Sequence, residues 1–150
     1  MTMTTETLKM ARIAGIDYAA ATDYMTATIK GFGLAYEEVG HISDVYSNLA
    51  AKTATDTEEI AIAMSKVASI AHSTGMEMET TAAMLAQILE VTREAPETAG
   101  TALKTVIARF GEVKTLIEKG ETTGTDEEGE VIDVNKIDAA LKTAGMSLLD

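Results

Sequence analysis

This chain of 150 residues lacks several residue types that common protein classes need. It has no cysteine, which excludes disulfide frameworks, zinc ribbons and thiol catalysis. It has no tryptophan, four tyrosines and two phenylalanines, whereas sheet proteins and ligand pockets usually contain more large rings. No apolar run approaches the roughly 20 residues of a membrane-spanning helix, so we expect no membrane contact from this segment.

Positive charge is also scarce. Twelve lysines and arginines stand against 24 aspartates and glutamates, which leaves a net charge of −12. Proteins bind nucleic acids mainly through Lys and Arg, so we expect no direct nucleic-acid recognition. The abundant residues are instead 24 alanines, 22 threonines and nine methionines. Ala favours helix formation, and Met fills irregular gaps between packed helices.

Apolar residues recur at three- and four-residue steps between glycines and the single proline, a pattern typical of amphipathic helices. Helix starts are predicted near residues 15, 33, 54, 75, 95 and 135. Asp17 and the segment 53–59 supply N-terminal caps, and Pro96 suits a first helical turn. The sequence therefore predicts an all-α fold, an irregular bundle of five to six short amphipathic helices.

Residues 120–134 contrast with the helices because they combine three glycines with threonines and acids. We predict one acidic loop or short β-hairpin there. Asp126, Glu128 and Glu130 alternate like calcium ligands, which raises the possibility of an EF-hand. An EF-hand with Gly129 in its sixth position would start at Gly124, which has no side-chain oxygen. A solvated run of charge is therefore the expected interpretation.

These patterns divide the chain into four predicted segments. They are an unplaced N-terminal segment 1–11, a helical region 12–119, the acidic loop or hairpin 120–134, and a short helix with an apolar tail 135–150. The tail ends at Asp150 directly after two leucines. Since a stable domain rarely stops on an apolar run, we expect a truncated segment of a longer protein.

The helix predicted after Pro96 has the most regular apolar pattern. Steps of 4, 3, 4, 3 and 4 residues connect Ala99, Leu103, Val106, Phe110, Val113 and Ile117. Heptad spacing of this kind places the six side chains on one face, which makes them a candidate packing or oligomer seam. The seam is shorter than three heptads, so ordinary packing within the bundle is favoured over a coiled coil, and both alternatives remain open.

A search for reactive groups finds no constellation typical of catalysis. His41 and His72 have no second histidine at i, i+4, so we expect surface or partly packed residues rather than zinc ligands. Glu37 and His41 form an i, i+4 pair that is more often helix-stabilising than catalytic. Arg93 could bind a phosphate or carboxylate, but an intramolecular salt bridge is the commoner role. We predict no catalytic residue, no cofactor, no metal site and no enzyme activity.

Three short stretches of the sequence are more specific than its composition and periodicity. They are ATDYMTATIKGF at 21–32, EVTREAPETAGTALKT at 90–105 and IARF at 107–110. These strings closely resemble phage tail tape measure proteins, and the Ala-rich stretches 60–75 and 77–90 and the segment 135–146 are also similar to that family. The resemblance covers roughly residues 12–150 and departs at the loop 120–130.

The resemblance implies a virion structural protein of long-tailed phages. The full-length protein would occupy the tail tube lumen as an oligomer, set tail length during assembly in the host cytoplasm and leave ahead of the DNA at ejection. Its implied partners are copies of itself and the tail tube, tail-tip and tail assembly chaperone proteins. Glycines interrupt this segment about every 20 residues. We therefore expect a folded region attached to the long helical rod of the protein, rather than the part of the rod whose length sets the length of the tail.

An alternative function is an independent helical protein-interaction or chaperone-like module that shares only the fold. Self-association through the seam would favour the tape measure interpretation, whereas a stable monomer that captures unrelated clients would favour the alternative. A hydrolase acting on peptidoglycan would need two carboxylates in one pocket, and no such pair is evident in the sequence.

Overall fold

The computed structural model describes residues 3–125 and 129–143 of the chain. The elements in these ranges are α1 (Met3–Ala14), α2 (Tyr18–Phe32), a 3₁₀ turn (Tyr36–Glu38), α3 (Val39–Ala50), α4 (Thr57–Ser73), α5 (Met78–Thr92), α6 (Pro96–Lys119), β1 (Thr123–Thr125), β2 (Val131–Asp133) and α7 (Val134–Thr143). The predicted all-α class is confirmed, and the choice between loop and hairpin is decided in favour of a short hairpin. The additional helix is α1, most of which lies in the segment that the sequence left unplaced.

Side-chain caps explain where two of the helices begin. The Asp17 carboxylate accepts a hydrogen bond from the backbone N–H of Ala20 at 3.0 Å, which starts α2. Asp56 accepts from the Glu59 N–H at 2.7 Å, while the Glu59 carboxylate accepts from the Asp56 N–H at 3.0 Å. This reciprocal capping box satisfies N–H groups that would otherwise be unpaired at the start of α4.

The contacts divide the chain into two compact units, with the boundary inside α6 between Thr105 and Val106. In the first unit, α4 packs against α2 and α5, and α1 packs against α2 and α3. The largest side chains of its core that are fully buried are Met10, Met25, Ile42, Tyr46, Ile60, Met64 and Leu85. Apart from the Tyr46 ring, methionine and aliphatic side chains make up this set of large buried residues.

Two glycines allow the helices of this unit to approach closely. A Cβ atom added to Gly31 on α2 would lie 2.5 Å from the Cβ of Ala68 on α4. One added to Gly100 on α6 would overlap the carbonyl oxygen of Ala63 on α4 and lie 3.0 Å from its Cα. Real side chains do not come this close, so both positions require a residue without a Cβ.

The second unit is built on the hairpin. β1 and β2 are antiparallel, with Thr123 opposite Asp133. Its core consists of Val113, Ile132 and Val134, against which Leu116, Ile117 and Ile137 pack. The Asp133 carboxylate accepts from the backbone N–H groups of Asn135 at 3.1 Å and Lys136 at 3.2 Å, so Asp133 caps α7. The apolar tail 146–149 lies outside the described residues.

Candidate functional site

The six residues of the predicted seam do not share one environment. Ala99, Leu103 and Val113 are buried, and Ile117 is partly buried against the core of the second unit. Val106 and Phe110 are each 50% exposed. Packing within the chain therefore does not follow the 4-3-4-3-4 line through these two positions, where Ile107 is the buried residue instead. Whether Val106 and Phe110 belong to an oligomer interface remains a prediction.

The hairpin explains why the C-terminal part of the apolar stripe on α6 is buried. Ile132 of β2 and Val134 of α7 pack on Val113, so the C-terminal part of the apolar stripe is covered within the second unit. Phe110 and Val106 lie about one and two turns earlier on the same helix face and stay half exposed. Val131, on the opposite face of β2 from Ile132, is 73% exposed.

A cavity of about 280 Å³ lies in the second unit and reaches Val113 of the stripe. Its lining consists of Arg109, Val113, Val131, Ile132, Asp133, Lys136 and Ile137. The guanidinium of Arg109 lies 3.6 Å from the Glu130 carboxylate, whose side chain is largely exposed. The cavity combines apolar side chains with two cationic ones and the Asp133 carboxylate, so its lining carries charges of both signs.

A second cavity, of about 400 Å³, lies in the first unit and brings the two histidines together. His41 and His72 both line it, with Phe32, Glu38, Glu77, Glu79 and four other residues. His72 makes an edge contact with the Phe32 ring, with ring centroids 6.1 Å apart. The sequence placed these histidines on separate helices and gave no signal that the fold brings them to one cavity.

The contact of His41 differs from the one that the sequence indicated. Its Nε2 lies 2.6 Å from Oε1 of Glu79, at the start of α5, whereas the sequence paired it with Glu37 on its own helix. The hydrogen bond from His41 lowers the pKa of the Glu79 carboxyl, with a smaller contribution in the same direction from a backbone hydrogen bond. The pair therefore connects α3 to α5 at the surface.

Arg93 acts within the fold. It ends α5 in the left-handed conformation, with φ of 56°, and its guanidinium donates to the carbonyl oxygen of Ala54. The Glu90 carboxylate accepts from the N–H of the same Ala54 at 3.3 Å. The two side chains thus hold the connection between α3 and α4, and the partner of Arg93 is a backbone carbonyl rather than the carboxylate of a salt bridge.

No metal centre is evident in residues 3–125 and 129–143, where no group of three or more His, Asp or Glu side chains could hold an ion. Asp126 and Glu128 of the alternating acids lie outside the described residues, and Glu130 faces Arg109. Within the same ranges, none of the helices combines the length and the apolar character needed to cross a membrane.

Comparison with known proteins agrees with the resemblance carried by the three sequence strings. Residues 1–149 match the family of phage-related minor tail proteins. The chain is 32% identical over 145 residues to a protein named as the tape measure protein of Pneumococcus phage Dp-1. This alignment covers 94% of the chain but 12% of the relative, so the chain spans about an eighth of that protein's length. No solved structure matches it. With almost every residue inside the family match, the chain belongs to the phage-related minor tail proteins.

Proposed function

We propose that this chain is a non-enzymatic structural segment of a phage tail tape measure protein, which acts in tail assembly and in setting tail length inside the tail tube. The observation that carries the proposal is the 32% identity to a tape measure protein. Because that similarity covers 94% of the chain, it includes both compact units rather than one shared helix. The proposed partners are copies of the chain and the tail tube, tail-tip and assembly chaperone proteins.

The fold supports the proposal that this segment is a compact region attached to the helical rod of a tape measure protein. A continuous helix can set a distance, because each residue adds about 1.5 Å to its length. A helix that is interrupted by turns loses this proportion between residue number and length. Gly15, Gly33, Gly75 and Arg93 have positive φ and follow the ends of α1, α2, α4 and α5. The chain turns back at these positions, so the first unit does not extend as a rod.

The proposal can be tested in the phage whose genome carries this reading frame. Residues 3–143 are deleted in frame, and tails are compared by electron microscopy with those from an equal deletion elsewhere in the frame. We expect loss of assembled tails for the first deletion, and tails shortened by about 1.5 Å per deleted helical residue for the second. Normal tails of unchanged length in both cases would contradict the proposal. A chaperone-like module would instead suppress aggregation of an unrelated unfolded client.

A further inference from the structure

The short hairpin lies over the last turns of α6. Its strands are 3 residues long, and their middle residues, Gly124 and Ile132, are cross-strand partners. Ile132 packs on Val113, and a Cβ atom added to Gly124 would lie 2.7 Å from Cδ2 of Leu116. The middle residue of each strand therefore faces α6, whereas Val131, next to Ile132, is 73% exposed on the other face.

The helix α7 packs on the same part of α6 as the hairpin does. Val134 is buried and Ile137 is half-buried, and both belong to the apolar cluster that contains Val113 and Ile117 of α6. The backbone N–H of Val134 donates to the carbonyl oxygen of Thr122 at 2.9 Å, which connects the start of α7 to the hairpin. We call β1, β2 and α7 together the cover.

The contacts that hold the cover are local in the chain. The helix α6 is followed by Gly120, whose φ is 73°, and β1 begins at Thr123. Val113 and Ile132 are about 20 positions apart in the sequence, so closing the loop between them costs little entropy. The cover can therefore form and break its contacts with α6 within the second unit.

The two units differ in how much they bury. Among the described residues, the largest fully buried side chains lie in the first unit, with Val134 as the exception. Burial of apolar surface is the main favourable contribution to folding, and a two-stranded hairpin by itself is marginally stable. Opening the cover therefore exposes less apolar surface than unfolding the first unit, and we expect it to need less free energy.

We propose that the cover opens as a separate cooperative element and thereby controls access to the apolar face of α6. When the cover is closed, Val113 and Ile117 are shielded, whereas Val106 and Phe110 are half exposed. When it opens, the apolar line with heptad spacing is accessible without interruption from Val106 to Ile117. The first unit stays folded during this opening.

Thiol labelling of the full chain tests this proposal, because the chain has no cysteine of its own. Val113→Cys places a thiol under the cover, and Val67→Cys places one in the core of the first unit, where the valine is also buried. We expect DTNB to label the first variant about tenfold or more faster than the second, with a weaker dependence on urea because less surface is exposed. Equal rates with equal urea dependence would overturn the proposal.

Two neighbouring residues of β2 show whether the packing on α6 holds the cover closed. In the Val113→Cys background, Ile132→Ala removes a side chain that packs on α6, and we expect labelling to become about tenfold or more faster. Val131→Ala is the matched control, because this side chain is exposed on the opposite face of the same strand, and we expect less than about a twofold change. Equal acceleration by both substitutions would contradict the proposal.

Amide hydrogen exchange of the unmodified chain, followed by NMR, needs no substitution. We expect the hydrogen-bonded amides of β2 and α7, including that of Val134, to exchange about tenfold or more faster than the amides in the middle of α4. Protection of the Val134 amide equal to that of the α4 amides would overturn the proposal. Both measurements use the isolated chain, so they can fail independently of the deletion experiment on phage tails.

Discussion

The hydroxyl oxygen of Tyr46 lies 2.9 Å from Oγ1 of Thr28, which joins α3 to α2 inside the core of the first unit. Both residues are fully buried. The Thr28 hydroxyl donates to the carbonyl oxygen of Tyr24 at 3.1 Å, so Tyr46 is the donor in the contact between the two hydroxyls. Burial raises the pKa of Tyr46 well above its ordinary value.

The direction of this hydrogen bond predicts unequal effects for two conservative substitutions. Tyr46→Phe removes the donor but leaves Thr28 bonded to Tyr24, so we expect a loss of about 1 kcal/mol. Thr28→Val leaves the Tyr46 hydroxyl buried without an acceptor, for which we expect about 2 kcal/mol. Urea denaturation followed by circular dichroism measures both. Equal losses, or a larger loss for Tyr46→Phe, would contradict the assigned direction.

The contact between His41 and Glu79 predicts a pH dependence. Because the pKa of Glu79 is lowered from 4.5, the contact contributes stability above about pH 4.5, and that contribution is lost as the pH falls through the folded-state pKa. Both side chains are 50% exposed, so the effect on stability is small and the titration itself is the better measurement.

Carbon-13 NMR titration of the Glu79 carboxyl provides that measurement. We expect His41→Gln to raise the pKa of Glu79 towards 4.5, because the largest cause of the lowering is the hydrogen bond from His41. Glu37→Gln is the control, since Glu37 is the partner that helical spacing indicated. A shift of the Glu79 pKa in the Glu37 variant but not in the His41 variant would show that the contact is assigned to the wrong pair.

Close helix packing predicts that added methyl groups destabilise the first unit. Gly31→Ala and Gly100→Ala each place a Cβ against atoms of α4 that cannot move aside easily. We expect net losses of about 1–3 kcal/mol, even though Ala is the better helix former. Gly40→Ala is the control, because its Cβ would lie 3.6 Å from the Glu6 side chain, an ordinary contact. Thermal melts in which all three variants match the parent chain would contradict the packing described.

Two positions on one face of α6 predict opposite results for the same substitution. Val113→Asp buries a charge against the apolar side chains Ile132 and Val134 in the core of the second unit, and should unfold the hairpin and α7. Phe110→Asp places the charge at a half-exposed position and should cost less than about 1 kcal/mol. The methyl NMR signals of Ile132 report on the hairpin. Loss of these signals in the Phe110 variant would show that Phe110 belongs to the core.

Local signals in the sequence were sufficient for the helices. The N-cap at Asp17, the capping segment before α4 and the start of α6 at Pro96 were all predicted, because caps and helical periodicity act within a few residues along the chain. The helix α1 was not predicted, since its first residues have weak periodicity and its stability comes from packing on α2 and α3.

The candidate surfaces depended on contacts between residues that are distant in sequence. Helical spacing placed six residues of α6 on one line, but only the folded hairpin determines that Val113 is covered and Phe110 is not. Spacing likewise paired His41 with Glu37, whereas the packing of α3 against α5 brings Glu79 to 2.6 Å. The sequence by itself determined the helical class, the caps and the family strings, because these depend on neighbours along the chain. The tertiary structure decided which apolar and charged side chains are covered, because burial depends on which distant segments pack on each helix face.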